Sequence, residues 1–158
     1  MKAMLIIGGT GRGKSHFLKT EILPKIQAPI IYDINNEYYN EQIALPTPEQ
    51  FVDSIENIKN RVFVFEEAST FFNHSSGLTT KVKNILARKR HKNQFLIFVF
   101  HALHEIPIDI FKHISTTVLF KTKDRNTLIE TKFRHDEQII EAYREVLNNP
   151  NPHYKKVF

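Results

Sequence analysis

A glycine-rich segment near the amino terminus constrains the fold more than any other part of the chain. Residues 8–15 read GGTGRGKS and match the pattern G-x-x-x-x-G-K-[S/T] at every fixed position. An apolar run, Ala3–Ile7, leads into the segment, and a helix-like stretch at residues 14–22 follows it. In this strand–loop–helix context the pattern forms a phosphate-binding loop (P-loop). The sequence therefore predicts a triphosphate-binding site after the first strand.

Each part of this segment has a physical reason to bind a triphosphate. Glycines permit backbone torsions that point successive N–H groups inward, and the following helix directs its positive dipole end to the same place. Lys14 is expected to reach the β- and γ-phosphates, and the Ser15 hydroxyl is expected to bind Mg²⁺. The predicted nucleotide-binding residues are Gly8, Gly9, Thr10, Gly11, Arg12, Gly13, Lys14, Ser15 and His16.

Two acidic residues follow the apolar run at residues 61–65, and they complement the P-loop. In open parallel sheets, ligands bind at the carboxyl ends of the strands, which is where Glu66 and Glu67 emerge. Glu66 is predicted to hold the Mg²⁺ shell, and Glu67 to polarise the attacking water. The first acid of such a pair is usually Asp, so the longer arm of Glu66 leaves open which carboxylate does which task. A pair of acids favours hydrolysis over transfer to a small acceptor.

Polar residues also follow the second and fourth predicted strands. Asp33 and Glu37 could support the metal or base pocket, or could belong to a turn held by local hydrogen bonds. His101 is expected near the γ-phosphate, where it could sense hydrolysis. The spacing of His101, His104 and Glu105 matches no known helical zinc site, so the sequence does not favour a second metal centre there.

Short apolar runs alternate with helix-like segments along the chain, and their order predicts the fold class. The runs are rich in Ile, Val and Phe and lack polar alternation, as strands covered on both faces do. They lie at Ala3–Ile7, 29–32, 61–65, Phe95–Phe100 and 116–120, and the helix-like segments lie at 14–22, 48–58, 78–90, 107–111 and 136–147. This order predicts a three-layer α/β P-loop fold of the RecA/FtsK type, with a central, mostly parallel sheet and helices on both faces.

The composition agrees with one folded domain and excludes several classes of site. The chain has 158 residues, of which 41% are hydrophobic and 25% charged, so we predict a P-loop domain over residues 1–147 and a C-terminal tail, loose or docked, over residues 148–158. The absence of cysteine excludes disulfides, thiolate zinc sites and cysteine nucleophiles. No apolar run approaches the roughly 18 residues of a membrane helix, and the amino-terminal run is too short for a signal peptide. We therefore expect a cytoplasmic protein without membrane attachment.

The basic residues are concentrated in one stretch of the chain. The formal net charge is +5, and no Asp or Glu occurs between Glu67 and Glu105. This interval carries Lys81, Lys83, Arg88, Lys89, Arg90, His91 and Lys92. Taken alone, the stretch is more typical of a solvated basic helix than of a nucleic-acid surface.

Together these elements resemble the FtsK/HerA superfamily of P-loop ATPases and, within it, the viral and plasmid packaging-type ATPases. The resemblance covers about residues 1–125 and rests on elements in the right order. These are the P-loop after the first strand, the Asp-x-x-x-Glu-Tyr pattern at 33–38, the acid pair, the basic element at 86–91, the HALHEIPIDIF stretch at 101–111 and the fifth strand with Asp124. The chain departs from the family at His101, where Gln or Asn is usual.

The resemblance implies ATP hydrolysis with Mg²⁺ in a homo-oligomeric ring, a pentamer or hexamer, with double-stranded DNA in its pore. Arg88 or Arg90 would then be an arginine finger that reaches the γ-phosphate of a neighbouring subunit. Lys81 and Lys83 could meet DNA phosphates, in a contact that weakens with salt. A portal or capsid protein is a further expected partner, and the location would be the host cytoplasm or the virion.

Two other functions fit parts of the sequence. A small nucleoside or metabolite kinase would suit the chain length, with Arg125 and Arg134 on a lid, but no acceptor motif is evident. A regulatory GTP switch would need an Asn-Lys-x-Asp element, which residues 121–124 do not supply, so ATP is the preferred nucleotide.

Overall fold

The computed structural model of the chain describes residues 3–35, 37–38, 47–72 and 78–158, with the side chains of residues 89 and 90 outside the description. Six strands in this part form a single sheet in the order β2-β3-β4-β1-β5-β6. Neighbouring strands are parallel except for the antiparallel pair β5–β6. The strands are Ala3–Ile7 (β1), Ile30–Tyr32 (β2), Val62–Phe65 (β3), Phe95–Phe100 (β4), Ile114–Phe120 (β5) and Lys155–Val157 (β6).

In the described ranges, six α-helices connect these strands. They are Lys14–Phe17 (α1), Pro48–Asn57 (α2), Leu78–Arg88 (α3), Ile108–Phe111 (α4), Asn126–Lys132 (α5) and Glu137–Asn148 (α6). α1 continues as a π-helical segment, Leu18–Ile22, and then as a 3₁₀ turn, Leu23–Lys25. α2 begins as its sequence predicts, because Pro48 occupies the first turn and the Thr47 side chain accepts a hydrogen bond from the Gln50 N–H at 3.2 Å. No helix in the described ranges is long and apolar enough to cross a membrane.

The sheet divides the hydrophobic core into two unequal layers. Alternate residues of each strand face opposite sides; for example, Leu5 belongs to the larger core and Ile6 to the smaller one. The larger core includes buried residues from α2 to α6, among them Phe51 and Tyr143. The smaller core includes Leu18 from the helical segment that continues α1. Among the described residues, this segment is the helical structure that covers that face of the sheet. The three-layer α/β P-loop fold predicted from the sequence is thus confirmed, with most helices on one face.

Two elements of the carboxyl-terminal third are absent from the prediction. α5 is a short helix in which Ile129 is the buried residue, so its apolar periodicity is weak. The last residues dock on the chain's own sheet, because Lys155–Val157 pairs with Val118, Leu119 and Phe120 of β5. The last residues of the predicted tail, 148–158, are therefore docked, which is one of the two alternatives that the sequence leaves open.

The parallel strands bring their carboxyl ends to one edge, and the P-loop lies at the centre of that edge. The Gly8 N–H donates to the Phe100 carbonyl at the end of β4 at 3.0 Å. The Gly9 N–H donates to the Lys121 carbonyl, just after β5, at 2.9 Å. The loop is therefore fixed by backbone hydrogen bonds to the strands on either side of β1.

Candidate active site

Glycine is required at two positions of the loop for different reasons. A Cβ at Gly8 would lie 2.6 Å from the Cβ of Phe120, closer than two such atoms can approach. Gly13, the N-cap residue of α1, has φ 98°, a left-handed conformation that side chains disfavour. Around these glycines the predicted binding residues form one continuous turn, in which Arg12 N–H donates to the Gly9 carbonyl at 3.2 Å. Thr10, Gly11 and His16 are exposed on it.

The side chain of Lys14 turns back over the loop into a buried position. The residue is 7% exposed, and its Nζ lies 3.4 Å from the Gly9 carbonyl oxygen and 3.2 Å from His101 Nδ1. Burial lowers the pKa of the ammonium group, while the nearby carboxylates of Glu66 and Glu67 oppose that shift. The lysine therefore stands between the loop and the acids, where the end of a triphosphate would lie.

His101 connects Lys14 to Glu67. Its Nε2 lies 2.7 Å from Glu67 Oε1. Because an ammonium can only donate, Nδ1 must accept from Lys14, and Nε2 must then carry the proton that is donated to Glu67. Glu67 itself has φ 55°, a left-handed conformation unusual for a residue with a side chain and typical of functional turns. Lysine, histidine and glutamate thus form one hydrogen-bonded chain.

Glu66 lies beside this chain and is held by two hydroxyl groups. Its Oε1 accepts from Ser15 Oγ and from Tyr38 Oη, each at 3.3 Å. Its Oε2 is buried and has no hydrogen-bond partner among the described residues. Burial raises the pKa of this carboxyl to about 7, because water cannot solvate the charged form.

The oxygen atoms at this point fit a magnesium ion. Mg²⁺ prefers oxygen ligands and keeps several waters, and Ser15 offers a hydroxyl beside the unpartnered Oε2 of Glu66. A cation would also favour the ionised form of a carboxyl whose pKa is otherwise raised. Ser15 and Glu66 are therefore the residues that would hold the ion.

Tyr38 is the site residue that the sequence reasoning did not assign a role. Its hydroxyl contacts Glu66, and its backbone N–H donates to Asp33 Oδ2 at 2.9 Å. Burial beside Glu66 raises the pKa of the phenol above its usual range, so the group stays a donor. Asp33 thus holds the turn that carries Tyr38, which agrees with the turn interpretation; its other oxygen is buried without a described partner. Glu37 is exposed and pairs with Lys19 at 3.8 Å.

Arg88 lies at the opposite edge of the sheet from the P-loop. α3 leads from the carboxyl end of β3 to the amino end of β4, so its last residue lies near Asn57 and Gln94 in a surface cleft at that other edge. This end of the helix therefore lies away from the nucleotide side of its own subunit. Arg88 is therefore not part of its own subunit's site, and the position of the Arg90 side chain lies outside the described residues.

The two lysines expected to meet DNA form ion pairs within the chain. Lys81 Nζ lies 3.1 Å from Asp53, and Lys83 Nζ lies 3.1 Å from Asp109. These exposed pairs contribute little to stability and can be exchanged for other anions. The contacts agree with the reading of α3 as a solvated basic helix.

His104 is bound in a structural contact beyond the site. Its Nδ1 lies 2.6 Å from Asp124 Oδ1, and the same carboxylate accepts the N–H of Leu103 at 2.8 Å. The Asp124 side chain is buried, so this cluster fixes the turn after β4 to the loop after β5. His104 is thus turned to Asp124, while His101 is turned to Glu67.

Comparisons with known proteins identify the fold. No family model and no curated protein matches the chain. Among solved structures, the genome packaging NTPase B204 from Sulfolobus turreted icosahedral virus 2, in complex with ATP-gammaS, aligns with a TM-score of 0.76 at 16% identity, over 99% of this chain and 91% of that one. B204 from Sulfolobus turreted icosahedral virus, the DNA-packaging ATPase, aligns with a TM-score of 0.71 at 18% identity, over 99% and 96%.

A bacterial protein has the same fold in part of a longer chain. EssC (ATPases 2 and 3) from Geobacillus thermodenitrificans aligns with a TM-score of 0.68 at 12% identity, over 99% of this chain and 37% of that one. At these identities the likeness establishes the fold and not the activity. The resemblance to packaging-type ATPases that the sequence indicated is therefore confirmed at the level of the fold.

Proposed function

We propose that the chain is a Mg²⁺-dependent ATPase. One observation carries this proposal: the P-loop lysine, the Ser15–Glu66 pair and Glu67 converge at the carboxyl edge of the sheet, with Lys14 joined to Glu67 through His101. These residues therefore lie close enough together to act on the same bound nucleotide. Solved structures of the same fold, B204 with ATP-gammaS and B204 with AMPPCP, support a nucleotide as the ligand.

The geometry supports a separate task in hydrolysis for each residue. The loop N–H groups and Lys14 bind the triphosphate, and Ser15 and Glu66 hold the metal. The Mg²⁺ ion, when bound, neutralises charge on the β- and γ-phosphate oxygens. Glu67 orients the attacking water and accepts its proton.

His101 couples phosphate binding to Glu67. The Lys14 ammonium has three N–H donors, two of which face the Gly9 carbonyl and His101 Nδ1, so a phosphate oxygen that draws the ammonium toward itself would lengthen the contact with His101. When Lys14 turns to a phosphate, His101 loses that donor while its Nε2 still contacts Glu67. In this proposal the histidine responds to whether the lysine contacts a phosphate, which is a means by which the polar residue after β4 would sense hydrolysis, as its position predicts.

We further propose that the ATPase is a motor that moves or packages double-stranded DNA as a ring of five or six subunits. The support is the fold shared with a genome packaging NTPase, and the net charge of +5 permits a polyanionic partner. A portal or capsid protein would complete such an assembly.

The ATPase rate with and without duplex DNA, paired with the mass in solution under the same conditions, tests both proposals. We expect DNA to stimulate hydrolysis in an oligomer, and the stimulation to fall steeply as salt rises. Glu67→Gln should lower kcat by about 10²–10⁴-fold. Activity of a monomer indifferent to DNA would contradict the motor, and faster phosphate transfer to a small acceptor than to water would favour a kinase instead.

Mixed oligomers test whether an arginine acts on a neighbour. If an arginine does act on a neighbour, Arg88→Ala and Glu67→Gln subunits should each be inactive alone. If Arg88 acts in trans, mixing them recreates interfaces in which the arginine of one subunit meets the intact Glu67 of the next, so activity returns. No recovery would remove Arg88 from this role, and the same mixture with Arg90→Ala tests the second candidate.

A further inference from the structure

The carboxyl-terminal segment at residues 149–154 lies beside the P-loop. α6 ends at Asn148 and β6 begins at Lys155, and β6 runs antiparallel to β5. Since β5 ends at the nucleotide edge of the sheet, the segment that enters β6 must lie at that edge too. Lys121, which holds Gly9 through its backbone carbonyl, also donates from Nζ to the Asn149 carbonyl at 3.3 Å.

From this segment, the side chain of His153 approaches the loop at Gly13. A Cβ placed on Gly13 would lie 3.7 Å from His153 Nδ1. The histidine is exposed, so its ring is open to a ligand at the edge of the sheet. No function assigned so far uses it.

Local hydrogen bonds hold the backbone of the segment in a defined shape. Asn149 Oδ1 accepts from Asn151 N–H, and Asn151 Oδ1 accepts from His153 N–H, each at 2.9 Å. The Tyr154 N–H donates to the Asn151 carbonyl at 3.1 Å. After the turn, Lys155 contacts the α1 segment, with Nζ 4.8 Å from the Phe17 ring centroid and 3.0 Å from Glu21. The histidine is thus anchored on both sides before any ligand binds.

The order of the strands gives the direction in which a nucleotide must lie. Lys14, Ser15, Glu66 and Glu67 meet on the β3–β4 side of the loop, so the terminal phosphate belongs there. The backbone of the loop would surround the phosphates that lie between the terminal phosphate and the nucleoside. The nucleoside therefore extends away from the acids, toward the β5–β6 side, which is the side that His153 occupies.

We propose that residues 149–154 form the nucleoside subsite and that the His153 imidazole stacks on the base of the bound nucleotide. This inference rests on the proposed ATP binding and extends it to the half of the ligand that the P-loop does not contact. Imidazole offers a flat face to a purine, and such stacking is tolerant of base identity. The carboxyl-terminal segment would then increase the affinity for the nucleotide, in addition to forming the edge strand beside β5.

Binding of two probes to the full chain with Mg²⁺ separates this subsite from the phosphate site. The probes are ATPγS and inorganic tripolyphosphate, which lacks a nucleoside, and both are measured by calorimetry. His153→Ala should weaken ATPγS binding about tenfold and leave tripolyphosphate binding unchanged. His153→Phe should retain most of the ATPγS affinity, because a phenyl ring also stacks. His135→Ala, at an exposed histidine between α5 and α6, is the matched control.

A spectroscopic measurement on the unmodified chain makes the test independent of folding of the variants. The His153 ring proton signal should shift on titration with ATPγS and stay in place with tripolyphosphate. Equal losses for both probes in His153→Ala, or no loss for either, would overturn the subsite. A wild-type chain that binds neither probe would overturn the proposed ATPase itself, so the two failures are distinguishable.

Discussion

The P-loop has a backbone hydrogen bond to the neighbouring strand on each side, but the two sides differ in the contacts that are added to it. On the β3–β4 side, side chains bind side chains: Lys14 to His101, and His101 to Glu67. On the β5–β6 side, the loop is held by a backbone hydrogen bond to the Lys121 carbonyl and by the close approach of Phe120 to Gly8. Substitutions on the first side should therefore change catalysis, metal binding or the charge state of the site, and substitutions on the second should change the fit of the fold or the affinity for the nucleoside.

His101→Ala tests the side-chain side most directly. It removes the connection between Lys14 and Glu67, so Glu67 loses the contact that orients it. We expect kcat to fall by about 100-fold, since a misplaced catalytic group costs about that much, with little change in nucleotide affinity.

The control for this prediction is His101→Gln, which keeps an amide that can accept from the lysine and donate to the glutamate. It should retain more activity than His101→Ala in steady-state kinetics. Equal kcat in His101→Ala and the unmodified chain would show that the histidine does not position Glu67.

Glu66→Gln should make the protein more stable at high pH. Burial raises the Glu66 pKa from 4.5 to about 7, so the folded chain binds this proton more tightly than the unfolded chain. The resulting contribution to stability is present below pH 4.5 and is lost as pH rises through 7. Glutamine does not titrate, so its advantage should grow to about 3 kcal/mol at pH 8.

Denaturant unfolding in EDTA at pH 5 and pH 8 measures this difference. Glu37→Gln, at an exposed carboxylate in the same cluster, controls for removal of a charge. If Glu66→Gln changed the free energy of unfolding by the same amount at both pH values, burial would not raise the pKa of Glu66.

Gly8→Ala should destabilise the fold on the backbone side. The added Cβ would meet Phe120 Cβ at 2.6 Å, so strand or loop must shift, at a cost of about 1–3 kcal/mol. Gly9→Ala is a matched control in the same loop, because its Cβ would meet the Lys121 carbonyl oxygen at an ordinary 3.5 Å. Thermal unfolding should show a lower Tm for Gly8→Ala than for Gly9→Ala; equal Tm values would contradict the close approach.

Tyr38→Phe should have the smallest effect. It removes one hydroxyl donor from Glu66 Oε1, a contact of 3.3 Å that is worth about 1 kcal/mol. We expect the Mg²⁺ concentration for half-maximal ATPase activity to rise about fivefold while kcat at saturating Mg²⁺ changes little. Tyr143→Phe, whose hydroxyl donates to the Asp124 carbonyl at 2.8 Å and has no contact with Glu66, should leave the Mg²⁺ dependence unchanged.

The sequence predicts those parts of the molecule that a local pattern determines. The P-loop has a highly specific sequence motif, and buried strands such as Phe95–Phe100 are continuous apolar runs. Lys155–Val157 has no such signal, because an edge strand of two lysines and a valine is half exposed. Its pairing depends on β5 being available beside it, which no local pattern records.

The site residues divide in the same way. Glu66 and Glu67 follow a strand and were predicted from that position alone. Tyr38 reaches Glu66 across 28 positions of sequence, so its role depends on the turn that Asp33 holds. The position of Arg88 could be predicted from the order of the elements alone. A helix that joins two parallel strands starts at one edge of the sheet and must end at the other.

The backbone hydrogen bonds of Gly8 and Gly9 have a mechanical consequence. They join the loop to two different strands, so the width of the phosphate cradle depends on the spacing of β4 and β5 around β1. A load that spreads this edge of the sheet would loosen the grip on the phosphates. Because coupling between two equilibria is reciprocal, phosphate departure would in turn release tension in the sheet. The loop would thus couple distortion of the sheet to the affinity for the nucleotide.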